Sequence, residues 1–178
     1  CYFNHEMAVA LASAVPVIVP TDERHQPDLP AIEAAITPRS RAIVPTHLFG
    51  GPAKMDAVLE IARKHGLKVI EDNAQAIGAA GKGFKIGELS DAVATSFIIQ
   101  KNLGTFGDGG AIWTDLAYVN DRVRKLRNHG SNKRDIHSPG FNSRLDDLHA
   151  GVLSAKLKHI DEWNDLRRKW AARSATLT

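Results

Sequence analysis

One lysine stands among apolar residues in the run SFIIQKNLGTFGDGG (residues 96–110): Lys101, followed closely by Gly104, Gly107, Gly109 and Gly110. An amine in a partly apolar pocket loses affinity for its proton and becomes a usable nucleophile. Glycines allow positive φ and let a ligand approach the backbone. A surface lysine in a flexible loop would show the same spacing, and the spacing alone does not separate the two readings. Two further strand-like runs end in groups that could do chemistry, RAIVPT at His47 and LKVIE at Asp72, and DAVAT leads into Ser96. Sites in open α/β sheets gather beyond the carboxyl ends of the strands. Polar strand ends are also common in α/β domains that have no site there.

The elements that must carry these residues can be read from pattern. Residues 7–14 have helix-forming composition, ended by Pro16. The apolar run PVIVP (16–20) predicts a strand, and residues 30–36 a short helix with proline in its first turn. A strand is expected at 41–47. An amphipathic helix is expected at 55–65, with Met55, Val58 and Ala62 on one stripe and Gly66 as its stop. Strands follow at 67–72, 91–97 and 109–114, with a glycine-rich connection at 78–87. Asp115 is the expected N-cap of a helix running to about residue 129. A polar loop spans 130–143, and the pattern from 145 onward is helical, acids early and bases late. Strands alternating with helices predict an α/β chain: a three-layer α/β/α arrangement with a mainly parallel sheet, covered on both faces.

Composition narrows the function classes. The chain has 178 residues, 43% hydrophobic and 24% charged, with a formal net charge of +3. That charge is too small to argue for nucleic acid, and the basic stretches at 122–127 and 156–173 are interleaved with apolar residues, as on a solvated helix face. Cys1 is the sole cysteine, so no internal disulfide is possible and a reducing, cytoplasmic location is expected. No apolar run reaches the length of a membrane span. The run 7–20 fails as a signal peptide, because His5 and Glu6 precede it in place of bases and Pro16 interrupts it. No metal site is expected.

Several motifs together resemble the DegT/DnrJ/EryC1/StrS family of pyridoxal-phosphate-dependent sugar aminotransferases. VIEDNAQAIGA (69–79) and SFIIQKNLGTFGDGG are similar to its paired signature. IVPTHLFGGPAKMD (43–56), LRNHG (126–130), GFNSRLDDLHAGVL (140–153) and CYFNHEMAVALASAVPVIV (1–19) match further family segments in the right order. The resemblance implies the fold of the large cofactor domain and a role for each matching position. Lys101 would hold pyridoxal phosphate covalently and move protons during the reaction. Asp72 would face the pyridine nitrogen and keep it protonated. Gln75 would approach the ring hydroxyl, Ser96 would donate to the cofactor phosphate, and Tyr2 would stack on the ring or simply pack near the chain end. Asn142 would reach the phosphate of a neighbouring subunit, which implies a homodimer with shared active sites; a turn asparagine is the plain alternative. Arg144 and Asp146 would fix the helix start behind Asn142. For His47 a structural hydrogen bond is expected rather than catalysis.

The implied reaction moves an amino group from L-glutamate to a nucleotide-linked keto-sugar. KNLGTFGDGG and NSRLDDLHA look closer to members aminating carbon 3, here of a 3-keto-6-deoxyhexose, than carbon 4. Family members are longer, so the chain resembles a central fragment: residues 1–165 as part of the large domain and 166–178 as a helix leading toward a small one. A Gly-Thr turn that precedes this segment in the family, and the small domain itself, are not in the sequence. Two departures stand out. Ile98 and Ile99, with Gln100 next, replace an aromatic and a proline before the lysine, and Ile77 replaces a common histidine. A sugar-dehydrating branch of the family carries histidine in place of the lysine, and Lys101 argues against it. The other reading is a non-catalytic protein that binds the cofactor or a sugar nucleotide, in regulation or as an inactive remnant.

Overall fold

The computed structural model describes residues 3–81, 84–131 and 138–176. In chain order these form α1 (Phe3–Leu11), α2 (Leu29–Ala35), β1 (Ala42–Ile43), a 3₁₀ turn (Leu48–Gly50), α3 (Met55–His65) and β2 (Lys68–Asp72). A small hairpin follows, β3 (Ala80–Gly81) with β4 (Phe84–Lys85), then β5 (Ala92–Ser96), β6 (Gly110–Trp113), α4 (Ala117–Leu126), α5 (Asp147–Leu157) and α6 (Ile160–Ala175).

Four strands make one sheet in the order β1-β2-β5-β6. β1 and β2 are parallel, because α3 carries the chain back to the starting end between them. β2 and β5 are also parallel. β6 is antiparallel to β5, since residues 97–109 turn the chain straight back with no helix to cross the sheet. The sheet is thus mainly parallel with one antiparallel edge.

Met55, Val58, Leu59, Ile61 and Ala62 recur at helical spacing and are buried, and Gly66 ends α3 in the left-handed conformation. Met55, Leu59 and Ala62 close on Ala53 and Val69, with Ile43 and Leu67 beside them. Each large apolar side chain buried this way stabilises the fold by about 1.5–3 kcal/mol. A second cluster, Phe97, Leu103, Leu153 and Ile160, packs with Ile77, Ala111 and Leu145 around the loop that holds Lys101. The carboxylate of Asp91 ties the starts of the central strands, accepting from Lys68 Nζ at 2.7 Å and the Val69 N–H at 2.9 Å.

Two expectations fail for identifiable reasons. PVIVP is not a strand: Val17 and Ile18 stay exposed, and Pro16 and Pro20 have no N–H to give a ladder. Asp115 does not cap α4. Leu116 holds the cap position, and the Thr114 hydroxyl accepts its N–H at 3.1 Å while donating to the Asp91 carbonyl at 2.7 Å. The helical pattern from residue 145 onward forms two helices, α5 and α6, which meet at Lys158 and His159.

Beyond β1 the pairing lapses, then resumes. The Asp72 N–H donates to the Pro45 carbonyl at 2.9 Å, and the His47 N–H donates to the Asp72 carbonyl at 3.0 Å. His47 is thereby buried beside Glu71, at 0% and 2% exposure. Its Nδ1 accepts the Ala53 N–H at 3.1 Å, which leaves the proton on Nε2, 2.7 Å from Glu71 Oε2. Glu71 Oε1 accepts the Gly87 N–H at 2.9 Å. Burial alone pushes the Glu71 carboxyl up, but hydrogen bonds from His47, Ser90 and the Gly87 N–H outweigh it and hold the group below its ordinary value.

Removing His47 would strand a buried carboxylate and the Ala53 N–H. We expect His47→Ala to cost about 3 kcal/mol at neutral pH, read from urea unfolding midpoints. Because the folded pKa of Glu71 is depressed, its contribution is complete above the unfolded glutamate value of about 4.3 and is lost as pH falls through the lower folded value. Glu71→Gln should therefore flatten the acid limb of the stability curve. An unchanged acid limb would show that this carboxyl does not contribute to it.

Candidate active site

Asp72 closes β2 and Ser96 closes β5. Asp72 is in register with Ala94, so the two side chains belong to one carboxyl edge of adjacent parallel strands. The Asn73 N–H continues the pairing, donating to the Ala94 carbonyl at 2.8 Å. Gln75 lies in the turn after β2, and Lys101 lies in the turn after β5. The sheet therefore brings together four of the expected residues by topology.

Each arrives with chemistry to spare. The Lys101 side chain is half-buried, and its amine makes no hydrogen bond or ion pair among the described residues. Ser96 Oγ accepts the Ile98 N–H at 3.3 Å, so the hydroxyl proton can still be donated outward. Gln75 is exposed, and its Oε1 accepts the Phe49 N–H at 3.1 Å, which leaves the NH₂ group to donate. Asp72 is held at both oxygens: Oδ1 accepts the Ala74 N–H at 2.9 Å, and Oδ2 lies 2.8 Å from His5 Nε2. A carboxylate has about four lone-pair sites, so it can still take a further donor.

The loop carrying Lys101 is fixed from several sides. Thr105 N–H returns to the Phe97 carbonyl at 2.8 Å, and Lys101 N–H bonds the Ile98 carbonyl at 2.9 Å. Asn102 Nδ2 donates to the Ile77 carbonyl at 2.9 Å and to Asn164 Oδ1 on α6 at 3.0 Å. Asn164, buried, donates to the same Ile77 carbonyl at 3.1 Å. Lys156 of α5 donates to the Gly104 carbonyl. The glycines serve this packing rather than ligand approach. A Cβ on Gly104 would lie 2.5 Å from the Ile99 carbonyl oxygen, and none of the four glycines after Lys101 has positive φ. Gly78 (φ +79°) makes room for Asn164, whose amide nitrogen a Cβ would meet at 2.4 Å.

The other expected residues sit apart. Asn142 is exposed and pairs with Asn128 in a short ladder between 126–129 and 141–143. Arg144 steadies that ladder through Asn128 Oδ1 at 2.8 Å, while Asp146 occupies the N-cap position of α5 without a side-chain bond. Tyr2 lies outside the described residues. His47 is buried and structural. Sequence reasoning missed His5, Asn102, Asn164 and Glu71. Only Asn102, adjacent to Lys101, had a local signal; the others act across long sequence separations.

An unpaired amine, a pinned carboxylate, a hydroxyl and an amide at one strand edge form a donor set that fits pyridoxal phosphate. The amine suits its carbonyl, the carboxylate a protonated ring nitrogen, and the hydroxyl its phosphate. The parallel strand edge and this donor set place the chain among α/β domains whose candidate site lies beyond the carboxyl ends of the strands. The chain belongs to the DegT/DnrJ/EryC1/StrS aminotransferase family, whose model matches residues 2–177.

Erythromycin biosynthesis sensory transduction protein EryC1 of Saccharopolyspora erythraea is 48% identical over 163 residues, 90% of this chain and 44% of that protein. A dTDP-3-amino-3,4,6-trideoxy-alpha-D-glucose transaminase of Streptomyces venezuelae is 47% identical over 173 residues, 96% of this chain and 46% of that protein. The crystal structure of S. venezuelae DesV in complex with a ketimine intermediate superposes with a TM-score of 0.92 at 47% identity, covering 97% of this chain and 47% of that one. The chain spans less than half the length of these relatives.

The Asn102–Asn164 clamp is testable apart from any reaction. Asn164→Ala takes one of two donors from the part-buried Ile77 carbonyl and the Oδ1 acceptor from Asn102, at an expected cost of about 1 kcal/mol. Amide hydrogen exchange at residues 98–104 should quicken with it. Unchanged exchange in that loop would show that α6 does not hold the lysine turn.

Proposed function

We propose that this chain forms the cofactor-binding part of an aminotransferase that moves an amino group from L-glutamate to a nucleotide-linked keto-sugar, at carbon 3 of a 3-keto-6-deoxyhexose, in the cytoplasm. The observation that carries the reading is the Lys101 amine, without a partner among the described residues and placed beyond β5 while neighbouring β2 ends in Asp72, in a member of this family. The transaminase name of the Streptomyces relative, at 47% identity, supports carbon 3. On this reading residues 1–165 belong to the large domain and 166–178 lead toward a further one.

Bound pyridoxal phosphate supplies a reactive carbonyl and an electron-accepting ring. Lys101 would hold the group through its carbonyl, and its Nζ, when free, would serve as the base that moves a proton at the substrate carbon. Asp72 holds a negative charge against the ring nitrogen and favours its protonated form. The Gln75 NH₂ donates to the ring oxygen without adding charge, and Ser96 Oγ donates to the phosphate. Asn142, exposed on its ladder, would reach the phosphate of a second protomer in a homodimer, and Tyr2 would stack on the ring.

Borohydride reduction after incubation with pyridoxal phosphate should add the cofactor's mass to one peptide, the one containing Lys101, and leave Lys101→Ala unlabelled. Label in both proteins alike would overturn the assignment. Loading at Lys101 with no response of the absorbance band to glutamate would favour the binding or regulatory reading, which the name of the Saccharopolyspora relative makes pertinent.

A further inference from the structure

We infer that His5 is a positioning residue for Asp72, an imidazole supplied by α1 that sets the direction of the carboxylate facing the cofactor ring. The inference rests on the aminotransferase reading and deepens it.

His5 and Asp72 are 67 residues apart in sequence, yet Nε2 lies 2.8 Å from Oδ2. The pair is sheltered, with side chains 26% and 15% exposed. At that exposure a hydrogen bond competes with less water than at an open surface. The other oxygen is also committed, since Oδ1 closes a local turn onto the Ala74 N–H at 2.9 Å. Two donors from different directions, one local and one from α1, fix the plane of the carboxylate. With either alone the group could rotate about its Cβ–Cγ bond. A carboxylate that must meet one ring nitrogen gains from being held before the ring arrives, because less freedom is lost on binding.

The contact is not explained by general packing of α1. Met7 and Leu11 on that helix are 60% and 71% exposed, so the helix does not dock through a buried apolar stripe at those positions. The polar contact to the strand end is one of its definite attachments to the sheet. A residue that only anchored α1 could form such a contact with any acceptor on the sheet edge. This one meets the carboxylate at the end of β2, on the same edge as Ser96.

The experiment uses the purified protein with added pyridoxal phosphate, and compares wild type with His5→Leu, His5→Gln and Asp72→Asn. His5→Gln keeps an N–H donor at a similar reach. We expect His5→Leu to weaken cofactor binding about 10- to 100-fold, the range seen when an outer partner of a site ligand is lost. The absorption maximum of the bound cofactor should shift in His5→Leu and return in His5→Gln. In the Asp72→Asn background, His5→Leu should add little, because the two residues act as one unit.

In cofactor-free protein, long-range nitrogen–proton NMR correlations should show the His5 proton on Nε2, and Asp72→Asn should disturb that pattern. If wild type loads at Lys101 while His5→Leu binds within about twofold and keeps the absorption maximum, the inference is overturned and the aminotransferase reading stands. If His5→Leu lowers thermal stability alone, His5 is only an anchor for α1 and the inference is again overturned. If wild type fails to load, both readings fall, even where the NMR shows the contact. Should His5→Leu not fold, the comparison of His5→Gln with Asp72→Asn in the NMR and binding experiments decides: unchanged His5 signals in Asp72→Asn overturn the inference.

Discussion

The site depends on a hydrogen bond that does not belong to it. Glu71 is buried at 2% exposure because His47, itself at 0%, supplies a proton at 2.7 Å. A carboxylate in that position without such a partner would cost several kcal/mol, as an isolated buried charge does. With the bond made, Glu71 is committed to one face of β2. Side chains alternate along a strand, so the next residue, Asp72, must point to the opposite face. A slip of one residue would bury Asp72 and expose Glu71. The His47–Glu71 bond thus pins the register on which the site carboxylate depends. It also joins four segments: the stretch beyond β1, the residues before α3 through the Ala53 N–H, β2, and the turn at Gly87.

The second constraint is the reversal between β5 and β6. A parallel continuation would need a helix to carry the chain across the sheet. Residues 97–109 instead fold back at the carboxyl edge, which keeps Lys101 beside the strand ends. Such a loop could be mobile. Here its carbonyls and amides are paired across it, and Asn102 is tied to Ile77 and to Asn164 of α6. Among the described residues the clamp leaves the neighbouring amine without a partner: the side-chain contacts fall on Asn102, while Lys101 is held only through its backbone N–H to Ile98.

Legibility in the sequence followed the range of the interactions. Helix 55–65 was readable to its ends, because its apolar stripe and its terminal glycine are both local signals. The strand end at Asp72 was readable because an apolar run gives way there to two acids, while β5 ends at Ser96, one residue short of the expected 91–97. PVIVP misled because apolar content suggested a strand while its prolines removed the donors a strand needs. Asp115 misled because the Thr114 hydroxyl, two residues before the N-cap's amide, was as good an acceptor and was already oriented by the Asp91 carbonyl. His5 and Asn164 carried no local signal at all. Their partners lie 67 and 62 residues away, a distance that no periodicity spans.

The departures from the family pattern can now be placed physically. Ile77, where a histidine is common, turns its side chain into the apolar cluster of Phe97, Leu103, Leu153 and Ile160. Its carbonyl does the polar work, accepting from both Asn102 and Asn164. That carbonyl is present whatever side chain stands there, so replacing a polar ring by isoleucine strengthens the packing behind the lysine loop without breaking its clamp. Ile99 is different. It is 60% exposed and stands two residues before Lys101, so it adds apolar surface beside the amine rather than support beneath it. The two isoleucines therefore act on different quantities: Ile77 on the packing behind the lysine turn, and Ile99 on the apolar surface the turn leaves exposed.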